Sequence, residues 1–190
     1  MARELAPGFL VAAPSLREPS FARTVILLVE HGADGSLGFV VNRPATVSFR
    51  SVAEILGIEA TQAGARDTPV YLGGPVAPES GWVLFDPRGA SAAVVGEAVR
   101  VNEELAVSAS RDLLEAIGRD AGPARRLMTL GYAGWGAGQL DGEFAQGIWI
   151  PVDLDHEIVF DVAPADRWHA ALASAGIDPA RMPKSGAFSA

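Results

Sequence analysis

The stretch Leu130-Gly-Tyr-Ala-Gly-Trp-Gly-Ala-Gly-Gln-Leu140 constrains this chain more than any other. An apolar, β-like run, Arg126-Leu-Met-Thr-Leu130, leads into it, and a helix-like segment near residues 137–146 leaves it. The reading is strand, glycine turn, helix start, a layout in which backbone N–H groups can be aimed at a ligand. The familiar phosphate chemistry is missing. A Walker A loop needs Lys-Ser/Thr after its last glycine, whereas Ala137-Gly138-Gln139 follows Gly136. A dinucleotide fingerprint needs a third glycine where Gln139 stands.

The rest of the chain alternates short apolar runs with turn residues. Phe9–Ala13, Arg23–Glu30 and Leu37–Asn42 read as strands, the last two as a hairpin around the turn-rich His31-Gly-Ala-Asp-Gly-Ser36. The run from Val25 to Val29 is continuous, the signature of burial on both faces. Ser51-Val-Ala-Glu54 has the capping-box pattern of a short helix that stops at Gly57, and residues 59–68 read as a polar loop. Strands are expected at Val70–Leu72, Gly81–Phe85, Val94–Val101, Leu105–Ser108, Leu127–Leu130, Ile148–Ile150 and Glu157–Asp161. Ser110 caps a helix with Leu113, Leu114 and Ile117 on one face, and a last helix starts at Pro164 and ends in a Schellman stop at Gly176-Ile177. Paired strands interrupted by three or four helices define an α+β fold with a mainly antiparallel sheet. No linker or repeat divides residues 1–190, so a single domain is expected, with a loose tail after about residue 183.

Composition narrows the function classes. The chain has 190 residues, 49% of them hydrophobic, enough for a sizeable core. A formal net charge of -8 repels phosphate backbones, and the basic residues are scattered arginines apart from Lys184, so nucleic-acid binding is disfavoured. With no cysteine, disulfides, thiolate catalysis and zinc–thiolate sites are excluded. Phe9-Leu-Val-Ala-Ala13 is too short for a secretory segment and no apolar run reaches membrane-spanning length; a soluble cytoplasmic protein is expected.

Other motifs fall short. Asp34-Gly-Ser-Leu-Gly38 lacks the first glycine of a nucleophile elbow and sits in a hairpin loop. His156-Glu157 begins like a zinc-protease helix, but Phe160 stands where the second histidine belongs. His31, His156 and His169 are not at helical ligand spacing, and Asp153, Asp155 and Glu157 lack the glycine of a calcium loop. No metal, no cofactor and no catalytic residue set follows from these residues.

Several blocks in order carry a family resemblance. Pro14-Ser-Leu16, Phe21-Ala-Arg-Thr-Val25, Glu30-His31, Gly38-Phe-Val-Val-Asn-Arg-Pro44, Leu72-Gly-Gly-Pro-Val76, Gly81-Trp-Val-Leu84 and Gly131–Leu140 with Glu143 and Trp149 resemble the YqgE/AlgH family of bacterial proteins. The resemblance implies a branched, mostly antiparallel sheet curled into a pseudo-barrel and flanked by helices. It also implies a cytosolic protein without an established catalytic residue set, often labelled a transcriptional regulator. The chain departs from the pattern at Gly142, inside the helix after the turn, where glycine weakens a helix by about 1 kcal/mol relative to alanine.

Two readings of the glycine blocks compete. Glycines let a sheet bend and backbones approach closely. Alternatively Gly73 and Gly74 join Gly134 and Gly136 in a concave site, with Tyr132 and Trp135 as apolar walls and Gln139 and Glu143 as polar groups. Trp82, Trp149 and Trp168 are expected in the core and Trp135 on the surface. Glu30, His31 and Asn42 form a second candidate cluster, for acid–base work, although Asn42 before Arg43-Pro44 most simply satisfies a strand end. The function expected is non-catalytic and regulatory, through a protein partner. The alternatives are a small-molecule binder or enzyme using the pocket between the glycine turns, and DNA contact through an Arg119, Arg125 and Arg126 stripe.

Overall fold

A computed structural model describes residues 5–66, 68–92 and 96–181. Its strands are β1 (Gly8–Ala12), β2 (Val25–Gly32), β3 (Gly35–Val40), β4 (Val70–Leu72), β5 (Val76–Phe85), β6 (Val99–Arg100), β7 (Ala106–Ser108), β8 (Arg126–Gly136) and β9 (Trp149–Asp153). Its helices are α1 (Phe49–Leu56), α2 (Gln62–Arg66), α3 (Arg111–Gly118), α4 (Gln139–Ala145), α5 (His156–Phe160) and α6 (Arg167–Ser174), followed by a 3-10 turn at Pro179–Arg181. Contacts divide the chain into two compact units, one of residues 1–42 with 133–190 and one of residues 43–132.

In the first unit the strand order is β9-β1-β2-β3 and then the end of β8, all antiparallel. Every residue of β1 is buried, and so are Val25 to Leu28, as the continuous apolar run predicts. Helix α6 closes over β1: the Trp168 indole N–H donates to the Ala12 carbonyl at 2.9 Å, and Ala171 and Leu172 are buried. The predicted Schellman stop is present, with Gly176 at φ 71, its N–H on the Ala173 carbonyl and the Ile177 N–H on Leu172. The helix begins at Arg167, not at Pro164.

In the second unit the order is β6-β7-β5 and then the start of β8, with β4 on its other edge. The β4–β8 pairing is parallel, from Val70 opposite Met128 to Leu72 opposite Leu130; β5–β8, β5–β7 and β6–β7 are antiparallel. The sheet therefore branches at β8, which carries β4 and β5 along its first part and β3 along its last. Phe49, Val83, Phe85, Leu113, Ile117 and Met128 are among the residues of this unit's core.

Several local expectations change. The glycine run is not a turn: β8 continues to Gly136, with Ala133 and Trp135 buried and Gly134 and Gly136 exposed, the period-2 pattern of a strand. The turn falls at Ala137-Gly138, with Gly138 as the N-cap of α4. Residues 157–160 are helical rather than extended and Asp161 is the C-cap, because the Asp155 side chain accepts the Glu157 N–H at 2.9 Å and sets a helix start that overrides the β-branched Ile158-Val159. The predicted loop at 59–68 contains α2. The N-cap of α1 lies three residues before the expected Ser51: it is Ser48, accepting the Ser51 N–H at 3.2 Å. With the single-turn α2 and α5, the described helices number six rather than three or four. The Val94–Val101 strand reduces to β6, its start lying partly outside the described residues, as does the tail from residue 182.

Candidate functional site

Trp135 is buried, at 7% exposure, which corrects its expected place on the surface. The reason is the alternation of β8, which turns Trp135 inward between two exposed glycines. Its indole N–H donates to Glu143 Oε2 at 2.9 Å, and the Trp149 N–H donates to the same oxygen at 2.6 Å. Gln139 Nε2 donates to Glu143 Oε1 at 3.0 Å, while Gln139 Oε1 accepts the Gly136 N–H at 3.1 Å. Trp135 meets Trp149 edge to face at 6.1 Å, and Phe21 meets Trp149 the same way. The polar atoms expected to read a ligand thus pin α4 to β8 and β9. Gly73, Gly74 and Tyr132 fall in the other compact unit.

Glu30, His31 and Asn42 do not converge. Asn42 Oδ1 accepts the Val25 N–H and its Nδ2 donates to the Arg23 carbonyl, both at 2.8 Å, at the start of β2. His31 lies six residues further along that strand, about 20 Å away at 3.3 Å per residue. Its Nδ1 meets the Ser36 hydroxyl at 2.8 Å across the hairpin, and its Nε2 is 3.7 Å from Asp141. Nor do Arg119, Arg125 and Arg126 form a basic stripe: Arg126 is buried, donating to Thr68 Oγ1 at 2.8 Å and to the Pro123 carbonyl at 2.7 Å. Among the described residues no group of His, Asp and Glu is placed to hold a metal, and no helix is long and apolar enough to cross a membrane.

Gly73 and Gly131 of the second unit permit close backbone approach. Gly131 has φ 69, and a Cβ there would lie 2.6 Å from the Gly74 carbonyl oxygen and 2.8 Å from that of Val76. A Cβ on Gly73 would lie 2.3 Å from the Gly131 carbonyl oxygen. Opposite Gly131 the β5 register shifts between Val76 and Gly81, so residues 77–80 bulge out of the ladder. The bulge is held by Ala77 at φ 44, by the Ser80 hydroxyl on the Ala77 carbonyl at 2.7 Å, and by the Trp82 indole N–H on Ser80 Oγ at 3.1 Å.

That bulge forms one wall of an open apolar groove of about 480 Å³. Pro78 and Glu79 stand on this side; Val47, Ser51, Val52, Ile55 and Leu56 come from α1 and the segment before it. Gly81, Met128 and Leu130 of the sheet and Leu114 of α3 complete the lining, with Ala109 and Arg111 at one end. Helix α1 reaches this position because Phe49 and Ala53 are buried in the core. Ile55 lies roughly 120° around the helix from Phe49, at 100° per residue, and is 85% exposed. Leu56, at 41%, and Val47, at 42%, are also exposed. Leu72, 51% exposed, sits opposite Leu130 in the parallel pair and so shares the sheet face that floors the groove. Arg111 closes the C-terminal end of α1, donating to the Leu56 carbonyl at 2.9 Å and the Gly57 carbonyl at 3.4 Å, while its Nε donates to Glu115 at 2.9 Å. The sequence signal for this site was the pair Ile55-Leu56, which makes the apolar face of a two-turn helix wider than its core contact needs.

The fold places the chain in the α+β class, with a branched, mostly antiparallel sheet. It belongs to the AlgH-like family, whose profile matches residues 9–180. A UPF0301 protein of Methylococcus capsulatus is 43% identical over 174 residues, covering 92% of this chain and 90% of the relative. One from Anaeromyxobacter dehalogenans is 46% identical over 183 residues, covering 93% and 90%. Among solved structures, the AlgH protein of Pseudomonas aeruginosa aligns with a TM-score of 0.77 at 36% identity, covering 100% of this chain and 98% of that one.

Proposed function

We propose that this chain is a non-catalytic, regulatory binding protein that docks a segment of a partner protein in the groove beside α1. The observation that carries this reading is Ile55, exposed at 85% at the lip of an apolar hollow. Clustered apolar surface of this kind marks recognition sites, whereas single exposed side chains do not. A small ligand confined to the hollow would meet Ile55 but leave Leu72, which lies outside the lining, in water; a protein segment laid across it covers both. The alternative site around Trp135, Gln139 and Glu143 is the weaker reading, because its donors and acceptors are engaged with one another.

Affinity capture compares wild type with Ile55→Glu and with Val99→Glu, an exposed apolar residue outside the groove lining. Candidates are then purified and titrated directly. The expected result is a partner whose affinity falls about tenfold with Ile55→Glu and is unmoved by Val99→Glu. Partners indifferent to Ile55→Glu would remove the groove as the site.

A further inference from the structure

Resting on the groove reading, we propose that the segment it accepts is an amphipathic helix with a Lys or Arg at the edge that meets Glu79. The floor of the groove favours a helix. Residues 128–130 of β8 are paired on both edges, with β4 on one side and β5 on the other. That part of the ladder can receive no added strand, so the floor offers an incoming chain side chains rather than backbone partners. A segment seated on Leu130 and Ile55 must satisfy its own N–H and C=O groups, and a helix does so internally.

Charge dictates the flank. The groove lining carries two charged residues, Arg111 and Glu79. Arg111 is occupied by two backbone carbonyls and by Glu115. Among the described residues Glu79 has no hydrogen bond or ion pair, and it is exposed. The charge left for a partner is therefore a carboxylate, on a chain of net charge -8 that attracts basic segments. A second copy of this chain would bring the same acidic surface, which argues for a different protein.

The test pans a library of displayed random 16-residue peptides against the full-length protein, with counter-selection on Ile55→Glu, and titrates enriched peptides by fluorescence anisotropy. Thermal melts confirm that the Ile55→Glu and Glu79→Gln proteins are folded. The expected binders have apolar residues at i, i+3 or i+4, and i+7, carry net positive charge, and gain helical circular dichroism on binding. Ile55→Glu should weaken them about tenfold and Glu79→Gln about threefold. Ile55-dependent binders that stay extended, or that are acidic and indifferent to Glu79→Gln, overturn the helix-and-cation assignment and leave the groove reading standing. A library that yields no Ile55-dependent binder overturns both. Wild-type self-association that Ile55→Glu abolishes would make a second copy the occupant and end the basic-helix assignment.

Discussion

The corner around Glu143 and the groove beside α1 differ in composition and in what remains unmet. The first gathers two tryptophans, a glutamine and a carboxylate, the residues expected at a binding site, but each polar group already faces another. The second is built of aliphatic side chains that a sequence reader assigns to the core, yet Ile55 and Leu56 stand in water. Recognition follows unmet contacts, and residue type alone is a poor guide to them.

The contrast is most sharply broken at Glu143. Glu143→Leu strands two indole N–H groups in a half-buried setting, and chemical denaturation should show a loss of about 3 kcal/mol. A loss under about 1 kcal/mol would mean the corner is open enough for water to replace the carboxylate. Gly131→Ala comes next. With φ 69 and a Cβ within 2.6 Å of a backbone oxygen, it should cost about 2 kcal/mol in the same assay. Gly81→Ala should cost far less, because its Cβ meets only the flexible end of Met128.

Asp86 gives a pH-dependent difference between the wild type and Asp86→Asn. The Arg88 guanidinium hydrogen-bonded to it holds its carboxyl below the ordinary 3.8, against the opposing effect of burial. A depressed carboxylate stabilises the fold above its unfolded value, and the contribution fades as pH falls through the lower folded value. Acid titrations should therefore show the wild-type advantage in full above about pH 4 and shrinking below it. A constant gap down to pH 2 would contradict the assignment. The smallest stability effect belongs to Ile55→Glu, which should leave the thermal melt within about 0.5 kcal/mol of wild type while weakening groove binding about tenfold.

Much of the fold is legible in the residues. The β2–β3 hairpin, the Ser110 cap and the Gly176 stop are local, and local physics places them. The glycine run misleads because four glycines in eight residues satisfy both a turn and a strand. The choice is made by pairing to β3, Gly134 opposite Leu37 and Gly136 opposite Gly35, which no local pattern contains. Residues 157–161 mislead for the converse reason: a capping aspartate outweighs two β-branched residues. The groove was only faintly legible: the pair Ile55-Leu56 widens the apolar face of α1, but Ile55 differs from a core isoleucine only in what the tertiary fold fails to lay over it.

Two indoles converging on one carboxylate give this molecule an optical gauge of its own. Release of α4 would free both rings at once into a more polar setting, so their emission should shift to the red together. A spectrometer could follow that corner without any label.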